Sequence, residues 1–411
     1  MSAQLPRAFR WFWAGETVSN FGSWITLLTL QVIVVEYLHA GTVGLGWMNA
    51  ARWLPYLFFG LVLGALIDRV RRRPVMIASD LVRALLLCAI PVLWSVDLLK
   101  LGALLLIAAL LGTATLVNDS ASQAFVPRLI PPRGLQSAHA RIDGTNAVAE
   151  TAGPAIGGGL LAVIAAPFAM LVNVGTFVFS AIVVALIRIE EPKRPGPDES
   201  AKPNLRREIG AGLKWVYSTP SLRDLAVWTH VWFAAQAILA AVSVDYFLND
   251  IGIDVFWLGI VMAGGGLGGI IGALSSPQVG ERLGNGRAVI LAHVCSAAGA
   301  LVLLLASPLD GWQPRMLILF AGVFLHGFAI GLSNSHEMAY RQSITPDAFQ
   351  ARTNTTMRSM NRAVIVIVSP LAGVLAAATS AELTLIVAAV IFALTAVGLW
   401  FSPFRSVRIR L

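Results

Sequence analysis

Charged residues are scarce in this 411-residue chain: Asp, Glu, Lys and Arg together make up 13% of it, whereas hydrophobic residues make up 57%. Soluble domains carry about 25% charged residues, so the composition excludes an ordinary soluble protein. Cysteine is also rare. The two cysteines, Cys88 and Cys295, lie inside apolar runs, which indicates small core residues rather than a disulfide framework or a metal site.

The sequence also lacks a nucleotide-binding motif. The glycine-rich run 264–269 has no preceding strand and no Gly-Lys-Ser/Thr continuation, so it does not match a phosphate-binding loop. Its glycines recur at Gly264, Gly268 and Gly272, a spacing typical of helices that pack closely. We find no nucleophile-and-base pair and no metal-ligand constellation. The sequence therefore predicts neither an enzyme nor an ATP-driven pump, and it predicts no cofactor and no metal site.

What the chain has in abundance is long apolar runs. A helix needs about 20 mostly apolar residues to span the roughly 30 Å hydrocarbon core of a bilayer. The predicted spans are residues 11–38, 45–67, 74–96, 101–123, 142–165, 168–188, 224–247, 255–276, 287–307, 314–338, 355–378 and 382–402. The sequence thus predicts an all-α membrane protein with twelve transmembrane helices embedded in the lipid bilayer.

Lysine and arginine are distributed unevenly between alternate loops. The segments predicted outside the cell hold only Lys100 and Arg315, whereas basic residues occur in every predicted inner segment. Cytoplasmic loops are enriched in these residues, so we predict a multi-pass protein of the cytoplasmic (inner) cell membrane with both termini in the cytoplasm. The same distribution accounts for the net charge of +8, and we predict no nucleic-acid partner.

A polar, proline-rich segment divides the spans into six and six. Residues 190–207 contain four prolines among charged residues, which is typical of a linker. We therefore predict an N-terminal half over 1–189, a cytoplasmic linker over 190–222 and a C-terminal half over 223–411. A short helix over 205–217 is predicted within the linker, either lying on the membrane face or forming a plain surface helix.

The two halves share landmarks at a nearly constant offset along the chain. Asp68-Arg69 in the first half corresponds to Glu281-Arg282 in the second, and Pro154 corresponds to Pro370. Six-helix halves related by duplication are a recurring transporter design, in which the substrate site lies between the halves near the bilayer midplane. These landmarks favour a transporter.

The loop between the second and third spans is a dense charged junction. It reads Gly64-x-Leu66-x-Asp68-Arg69-x-x-Arg72-Arg73. This pattern resembles the signature loop of the major facilitator superfamily of secondary transporters, although Arg71 stands where a glycine is usual. The resemblance implies a conformational latch, rather than a substrate site, at Gly64, Asp68, Arg69, Arg72 and Arg73.

Two further patterns extend the resemblance. The fifth span contains Gly153-Pro154-x-x-Gly157-Gly158, which is similar to the superfamily motif associated with antiporters, and so with export. The alternative is a helix that simply packs tightly through its glycines. The run 125–131, together with Arg52-x-x-Pro55 and Asp80-x-x-Arg83, is similar to the bacterial subgroup that includes enterobactin and macrolide exporters.

Asp119 in the fourth span is the predicted partner of the latch. We expect Asp68, Arg72 and Asp119 to form a charge network that holds the outward-facing state. The alternative is a solvated loop charge and an ordinary helix-end aspartate. Many proton antiporters of the superfamily carry a buried arginine in the fourth helix, but residues 101–123 contain none, so proton coupling by that arrangement is not expected.

Ionisable residues inside the spans are energetically unfavourable, which makes them candidates for coupling or for lining a cavity. They are Glu16, Arg52, Asp80, Arg83, Glu150, His326 and Arg358. Asp80 and Arg83 share a helix face and favour a structural ion pair, while Glu16 or Glu36 could neutralise Arg52. Glu150 is the candidate proton carrier, with a buried ion pair or a vestibule residue as alternatives. For His326, a core histidine is favoured over a cavity residue.

These features together predict a secondary active exporter. We expect it to move a small amphipathic organic compound, such as a drug, antibiotic or siderophore, in exchange for protons by alternating access, and to function as a monomer. An importer or lipid-related carrier of the same fold is the alternative within transport. A membrane sensor that has lost transport is the alternative outside it.

Overall fold

The structure, a computed structural model, describes residues 6–67, 70–131, 134–189 and 205–408. Helix is the only regular secondary structure in these segments. The α-helices are α1 (Arg7–Val32), α2 (Gly41–Ile67), α3 (Arg72–Ser95), α4 (Leu101–Leu129), α5 (Leu135–Leu161), α6 (Ala166–Leu186), α7 (Leu205–Ser218), α8 (Pro220–Asp245), α9 (Val255–Leu283), α10 (Asn285–Leu304), α11 (Trp312–Ile344), α12 (Asp347–Ala378) and α13 (Ala381–Phe401).

Ten of the described helices are long and apolar enough to cross a membrane. They are α1, α3, α4, α6 and α8 to α13. Two more, α2 and α5, are 27 residues long each and coincide with the second and fifth predicted spans. The all-helical membrane architecture is therefore confirmed, whereas the number of twelve spans stays a prediction.

Several helices are longer than the apolar runs that predict them. α4 continues to Leu129, past the predicted end at residue 123, and α12 begins at Asp347, ahead of the predicted start at residue 355. Hydropathy marks only the part of a helix that suits hydrocarbon. Backbone hydrogen bonding continues into polar turns beyond that part, so hydropathy underestimates the length of the helix.

The chain divides into two compact units. The first comprises residues 1–39 and 51–198, and the second comprises 40–50 and 199–411. Residues 40–50, the beginning of α2, belong to the second unit because they lie against α12. Within that unit Thr42 donates a hydrogen bond to the carbonyl oxygen of Gly373 at 3.0 Å, and a Cβ on Gly46 would overlap the carbonyl oxygen of Ser369.

Two helices of the first unit have the same length as their counterparts in the second. α1 and α8 are 26 residues long each, and α6 and α13 are 21 residues long each. Both α1 and α8 continue into a five-residue π-helical turn, Ile33–Tyr37 after α1 and Tyr246–Asp250 after α8. Since π turns are rare, their presence at the ends of both α1 and α8 indicates that the two units repeat in structure as well as in sequence.

The short helix α7 packs on the other helices of the second unit through its apolar side. Val216 is fully buried in a cluster with Leu222 and Met357, and the rings of Trp215 and Phe349 lie 5.3 Å apart. Residues 190–204 of the predicted linker lie outside the described residues. Where the linker is described, it ends in a helix that rests on α8 and α12.

Glycines bring α9 and α11 into backbone contact. A Cβ on Gly268 would overlap the carbonyl oxygen of Phe324, and one on Gly272 would overlap that of Phe328. In the opposite direction, a Cβ on Gly327 would overlap the carbonyl oxygen of Gly265. The prediction that this glycine run serves helix packing is confirmed.

Candidate functional site

The first unit contains a cluster of ionisable side chains within its long helices. We call it the first-unit charge cluster, and it comprises Glu16 on α1, Arg52 on α2, Asp80 and Arg83 on α3, and Asp119 on α4. All five are among the sequence-predicted candidates. The structure brings them into one electrostatic neighbourhood.

Asp80 and Arg83 form the buried centre of this cluster. Their side chains are 0% and 6% exposed and form an ion pair one turn apart. Asn118 on α4 donates to Asp80 Oδ1 at 3.2 Å. The guanidinium of Arg83 lies 4.2 Å from the centre of the Phe177 ring on α6, a cation–π distance. This pair therefore joins α3 to α4 and α6, which agrees with the structural role favoured by the sequence.

Glu16 approaches the cluster from α1. Ser122 on α4 donates a hydrogen bond to Glu16 Oε1 at 3.2 Å. The charged neighbours that act on Glu16 are Arg83, Asp80 and Asp119. Arg83 is the strongest of these charges at Glu16, and it is at the same time paired with Asp80.

Arg52 and Asp119 complete the cluster on the α2 side. Asp119 is exposed and accepts a hydrogen bond from the Tyr56 hydroxyl at 3.1 Å, and it also acts electrostatically on Arg52. The sequence interpretation proposed Glu16 or Glu36 for Arg52. In the structure Tyr56 and then Asp119 are the groups that act electrostatically on Arg52, because α2 lies directly against α4 at Gly112.

Gly112 permits this approach of α2 to α4. A Cβ at Gly112 would overlap the backbone carbonyl oxygen of Arg52. The guanidinium of Arg52 then lies 5.1 Å from the centre of the Trp53 ring. In sum, the cluster holds three carboxylates and two guanidiniums within helices that are long enough to span a membrane, an arrangement that is rare unless it serves ion or substrate movement.

The predicted latch is described in part. Asp68 and Arg69 lie outside the described residues, and Gly64 belongs to α2. Arg72 begins α3 and is 5% exposed. Arg73 donates to the carbonyl oxygen of Val184 at 3.1 Å and to that of Ala185.

These two carbonyl groups belong to the last turn of α6, where backbone acceptors have no partner within the helix. Arg73 therefore ties the beginning of α3 to the end of α6. Asp119 lies ten residues before the end of α4 at Leu129, about 15 Å along the axis. It is thus further from the helix end than the predicted span suggests.

The antiporter-like motif faces α1. A Cβ on Gly153 would lie 2.6 Å from the Cβ of Trp24, and one on Gly157 would lie 3.3 Å from Leu28. Pro154 and Gly158 are buried in the same helix. These glycines allow α5 to pack closely on α1, which carries Glu16.

Glu150 and Arg358 stand apart from these contacts. Glu150 precedes Gly153 by three residues on α5, and its side chain is exposed. Arg358 is exposed on α12. Their predicted roles in coupling or in lining a cavity stay predictions.

His326 in the second unit has a core environment. It is 8% exposed, its Nε2 lies 2.6 Å from Gln236 Oε1, and its ring stacks on Trp232 at 6.0 Å with an interplanar angle of 6°. A buried, hydrogen-bonded and stacked imidazole is what the favoured interpretation of this histidine expects.

Sequence reasoning missed a polar chain that starts on the linker helix. The Tyr217 hydroxyl lies 2.8 Å from His230 Nε2, and His230 Nδ1 lies 2.6 Å from Asn361 Oδ1. Burial raises the pKa of the Tyr217 phenol, so it stays protonated at neutral pH. The signal in the sequence was a histidine within an apolar span, but nothing local identified its partners.

Among the described residues, no group of three or more His, Cys, Asp or Glu could hold a metal ion.

Comparison with known proteins adds a family and several relatives. A family model described as transmembrane secretion effector matches residues 3–409. The chain is 26% identical over 344 residues to the multidrug efflux pump Tap of Mycolicibacterium fortuitum, which covers 82% of each protein. It is 26% identical over 246 residues to macrolide efflux protein A of Streptococcus pyogenes, covering 58% of this chain and 59% of that protein.

Solved structures of transporters resemble the fold closely. A bacterial homologue of the iron transporter ferroportin, in its inward-facing state, aligns with a TM-score of 0.76 over 97% of this chain and 99% of its own, at 14% identity. A mutant of the nucleoside transporter NupG aligns with a TM-score of 0.76 over 96% and 99%, at 13% identity. At such identities the likeness concerns the fold and not the cargo.

Proposed function

Because the chain belongs to the transmembrane secretion effector family of major facilitator transporters, we propose that it exports a small amphipathic organic compound in exchange for protons. Its relatives are named multidrug and macrolide efflux proteins, which supports the direction and the class of cargo. The proposal includes the predicted orientation, with both termini in the cytoplasm, and a monomeric unit of function.

The first-unit charge cluster is the observation that carries proton coupling. Three carboxylates and two guanidiniums lie together in the long helices of the first unit, and carboxylates inside a span are groups that can take up and release protons. Alternating access then exposes the cluster to one side of the membrane at a time. One of these carboxylates would take up a proton on one side of the membrane and release it on the other, while the cargo moves in the opposite direction.

Export is tested in everted membrane vesicles, whose interior corresponds to the outside of the cell. Vesicles with an acidic interior should accumulate chloramphenicol, a neutral amphipathic antibiotic, and a protonophore should abolish the accumulation. With one proton exchanged per neutral cargo molecule and no membrane potential, a gradient of one pH unit should support about tenfold accumulation. Vesicles from a strain without the protein are the control. Accumulation in right-side-out vesicles instead would reverse the assigned direction.

The latch stays part of the proposal, with Arg73 as its testable member. Arg73→Gln removes the charged donor that holds the end of α6. Hydrogen bonds from charged donors contribute about 1.5–3 kcal/mol, so a bond made in only one conformation shifts the balance between conformations at least about tenfold. We expect a change in transport rate of that order while the amount of folded protein stays near wild type. The neighbouring Arg71→Gln, at an exposed position, is the matched control, and equal rates for both variants would contradict the latch.

A further inference from the structure

Exposed arginines lie on both sides of the tight turn between α9 and α10. α9 ends at Leu283 and α10 begins at Asn285, so Gly284 alone connects the two helices. The φ of Gly284 is 86°, in the left-handed region that residues other than glycine rarely adopt. Arg282 precedes this glycine by two residues and Arg287 follows it by three, and both are exposed. The turn therefore keeps these two arginines close together.

The segment that follows α13 folds back onto the same turn. It forms a 3₁₀ turn over Pro403–Ser406, in which Phe404 is fully buried, and the Phe404 ring lies 5.1 Å from that of Tyr340 on α11. The backbone N–H of Gly286 donates to the carbonyl oxygen of Val407 at 3.1 Å. A buried ring and a backbone hydrogen bond thus anchor the segment to α11 and α10.

This anchoring adds two more arginines to the turn. A Cβ on Gly286 would lie 3.0 Å from the carbonyl carbon of Arg405, and one on Gly284 would lie 2.8 Å from Cγ of Arg408. Both arginines are exposed. The four arginines around the turn, which we call the arginine cluster, are Arg282, Arg287, Arg405 and Arg408.

The positive charge of the arginine cluster is not balanced by an ion pair. No carboxylate in the described part of the chain forms one with any of the four guanidiniums. Glu281 is adjacent to Arg282 in sequence and is exposed, but it does not pair with the cluster. Asp224 on α8 is already paired with Arg223. The cluster therefore presents positive charge that an external anion can balance.

Exposed apolar faces continue from the cluster along α10 and α13. The two helices pack against each other through a shared buried cluster, and both are long and apolar enough to cross a membrane. On the face of α10 that begins with Arg287, the exposed apolar residues are Leu291, Val294, Leu301 and Leu305. On one face of α13 they are Val390, Leu394, Val397 and Phe401. Both faces suit contact with acyl chains.

The cluster lies at the depth of lipid headgroups. Trp400, near the end of α13, is 45% exposed, and tryptophan favours the membrane–water interface. The guanidinium of Arg405 lies 5.2 Å from the centre of the Trp400 ring. Guanidinium groups bind phosphate through paired hydrogen bonds, and basic pockets beside spanning helices bind anionic headgroups. Membrane topology requires basic residues on one side, but it does not require four of them around one turn.

We propose that the arginine cluster binds the phosphate headgroup of an anionic phospholipid, whose acyl chains lie along the exposed apolar faces of α10 and α13. The headgroup connects the turn between α9 and α10 to the segment that follows α13. This lipid site does not depend on the cargo, the direction of transport or the coupling ion, so it holds or fails separately from the proposed export.

Native mass spectrometry of the purified protein tests the site by titration with phosphatidylglycerol and with phosphatidylethanolamine. These lipids share the phosphate and the acyl chains but differ in net charge, so the wild type should bind phosphatidylglycerol more tightly. Each arginine near a membrane surface strengthens binding of anionic lipid about fivefold. Arg287→Gln and Arg405→Gln should each weaken phosphatidylglycerol binding by about that factor, and by about twenty-five-fold together. Equal affinity of the wild type for both lipids overturns the proposal.

Arg223→Gln is the matched control for these variants. It removes the same charge from another exposed position of the second unit, where the arginine is already paired with Asp224. Its affinity for phosphatidylglycerol should equal that of the wild type, and the unfolding temperature without lipid should be the same for all single variants. A loss in Arg223→Gln as large as that in Arg287→Gln would show an effect of net charge alone and contradict a specific site.

Competition distinguishes a lipid from a soluble anion. Inorganic phosphate and glycerol 3-phosphate carry the same group without acyl chains, so neither should displace phosphatidylglycerol more than chloride does at equal ionic strength. Displacement by either phosphate where chloride has no effect would assign the arginine cluster to a soluble anion and overturn the lipid assignment.

Discussion

Gly327→Leu should leave almost no folded protein. Gly327 and Gly331 on α11 lie against the backbone carbonyl groups of Gly265 and Gly269 on α9, and no side chain separates them. A leucine there meets backbone that cannot rotate away, so the two helices must separate and lose the reciprocal contacts at Gly268 and Gly272. Overpacking by a few methylenes already destabilises an ordinary core by about 1–3 kcal/mol, and here the obstacle is backbone.

Gly175→Leu on α6 is the matched control for this prediction. A Cβ at Gly175 meets no atom within 4 Å, and replacing a helical glycine with a residue of higher helix propensity stabilises a helix by up to about 1 kcal/mol. The monodisperse fraction after extraction in mild detergent should fall at least about tenfold for Gly327→Leu, which corresponds to a destabilisation that exceeds the whole stability of the protein by about 1.4 kcal/mol. For Gly175→Leu it should equal or exceed the wild type. Normal yield and melting temperature for both variants would show that α9 and α11 tolerate separation.

Asp80→Leu should be the most damaging single change in the first-unit charge cluster. It leaves the guanidinium of Arg83, 6% exposed, without the carboxylate that pairs with it. Removing one member of a buried ion pair destabilises proteins by about 3–5 kcal/mol, whereas replacing both members by apolar residues is often neutral. We therefore expect severe destabilisation of Asp80→Leu and substantial recovery in Asp80→Leu/Arg83→Met, measured as unfolding temperature in detergent.

The pair formed by Arg223 and Asp224 provides the control for this double-mutant cycle. The Arg223 side chain is 52% exposed, and exposed pairs contribute about 0–1 kcal/mol. Asp224→Leu should accordingly change the unfolding temperature little. If the double variant at Asp80 and Arg83 is no more stable than Asp80→Leu alone, the pair is not the reason for the loss.

Local patterns account for what could be predicted. Apolar runs identified the long helices, and the four-residue spacing of Gly264, Gly268 and Gly272 identified a closely packed face, because both depend on one segment at a time. The three-residue spacing of Asp80 and Arg83 predicted their pairing for the same reason.

Partners on other helices could not be predicted in this way. Arg52 has several carboxylates within the first unit's spans as possible neighbours, and the choice of Asp119 depends on Gly112, which lets α2 approach α4. Ser122 looked unremarkable in the sequence because hydroxyl groups often bond to their own helix backbone. Its contact with Glu16 becomes visible only when α1 and α4 are placed together.

The π-helical turns that end α1 and α8 carry a record of ancestry. A π turn arises when one residue is added to an α-helix without breaking it. Two independent additions at corresponding positions of the two units, each after 26 α-helical residues, require a coincidence. A single addition in an ancestral gene of half this length explains both. Under this explanation, the wide turn is older than the duplication of the half.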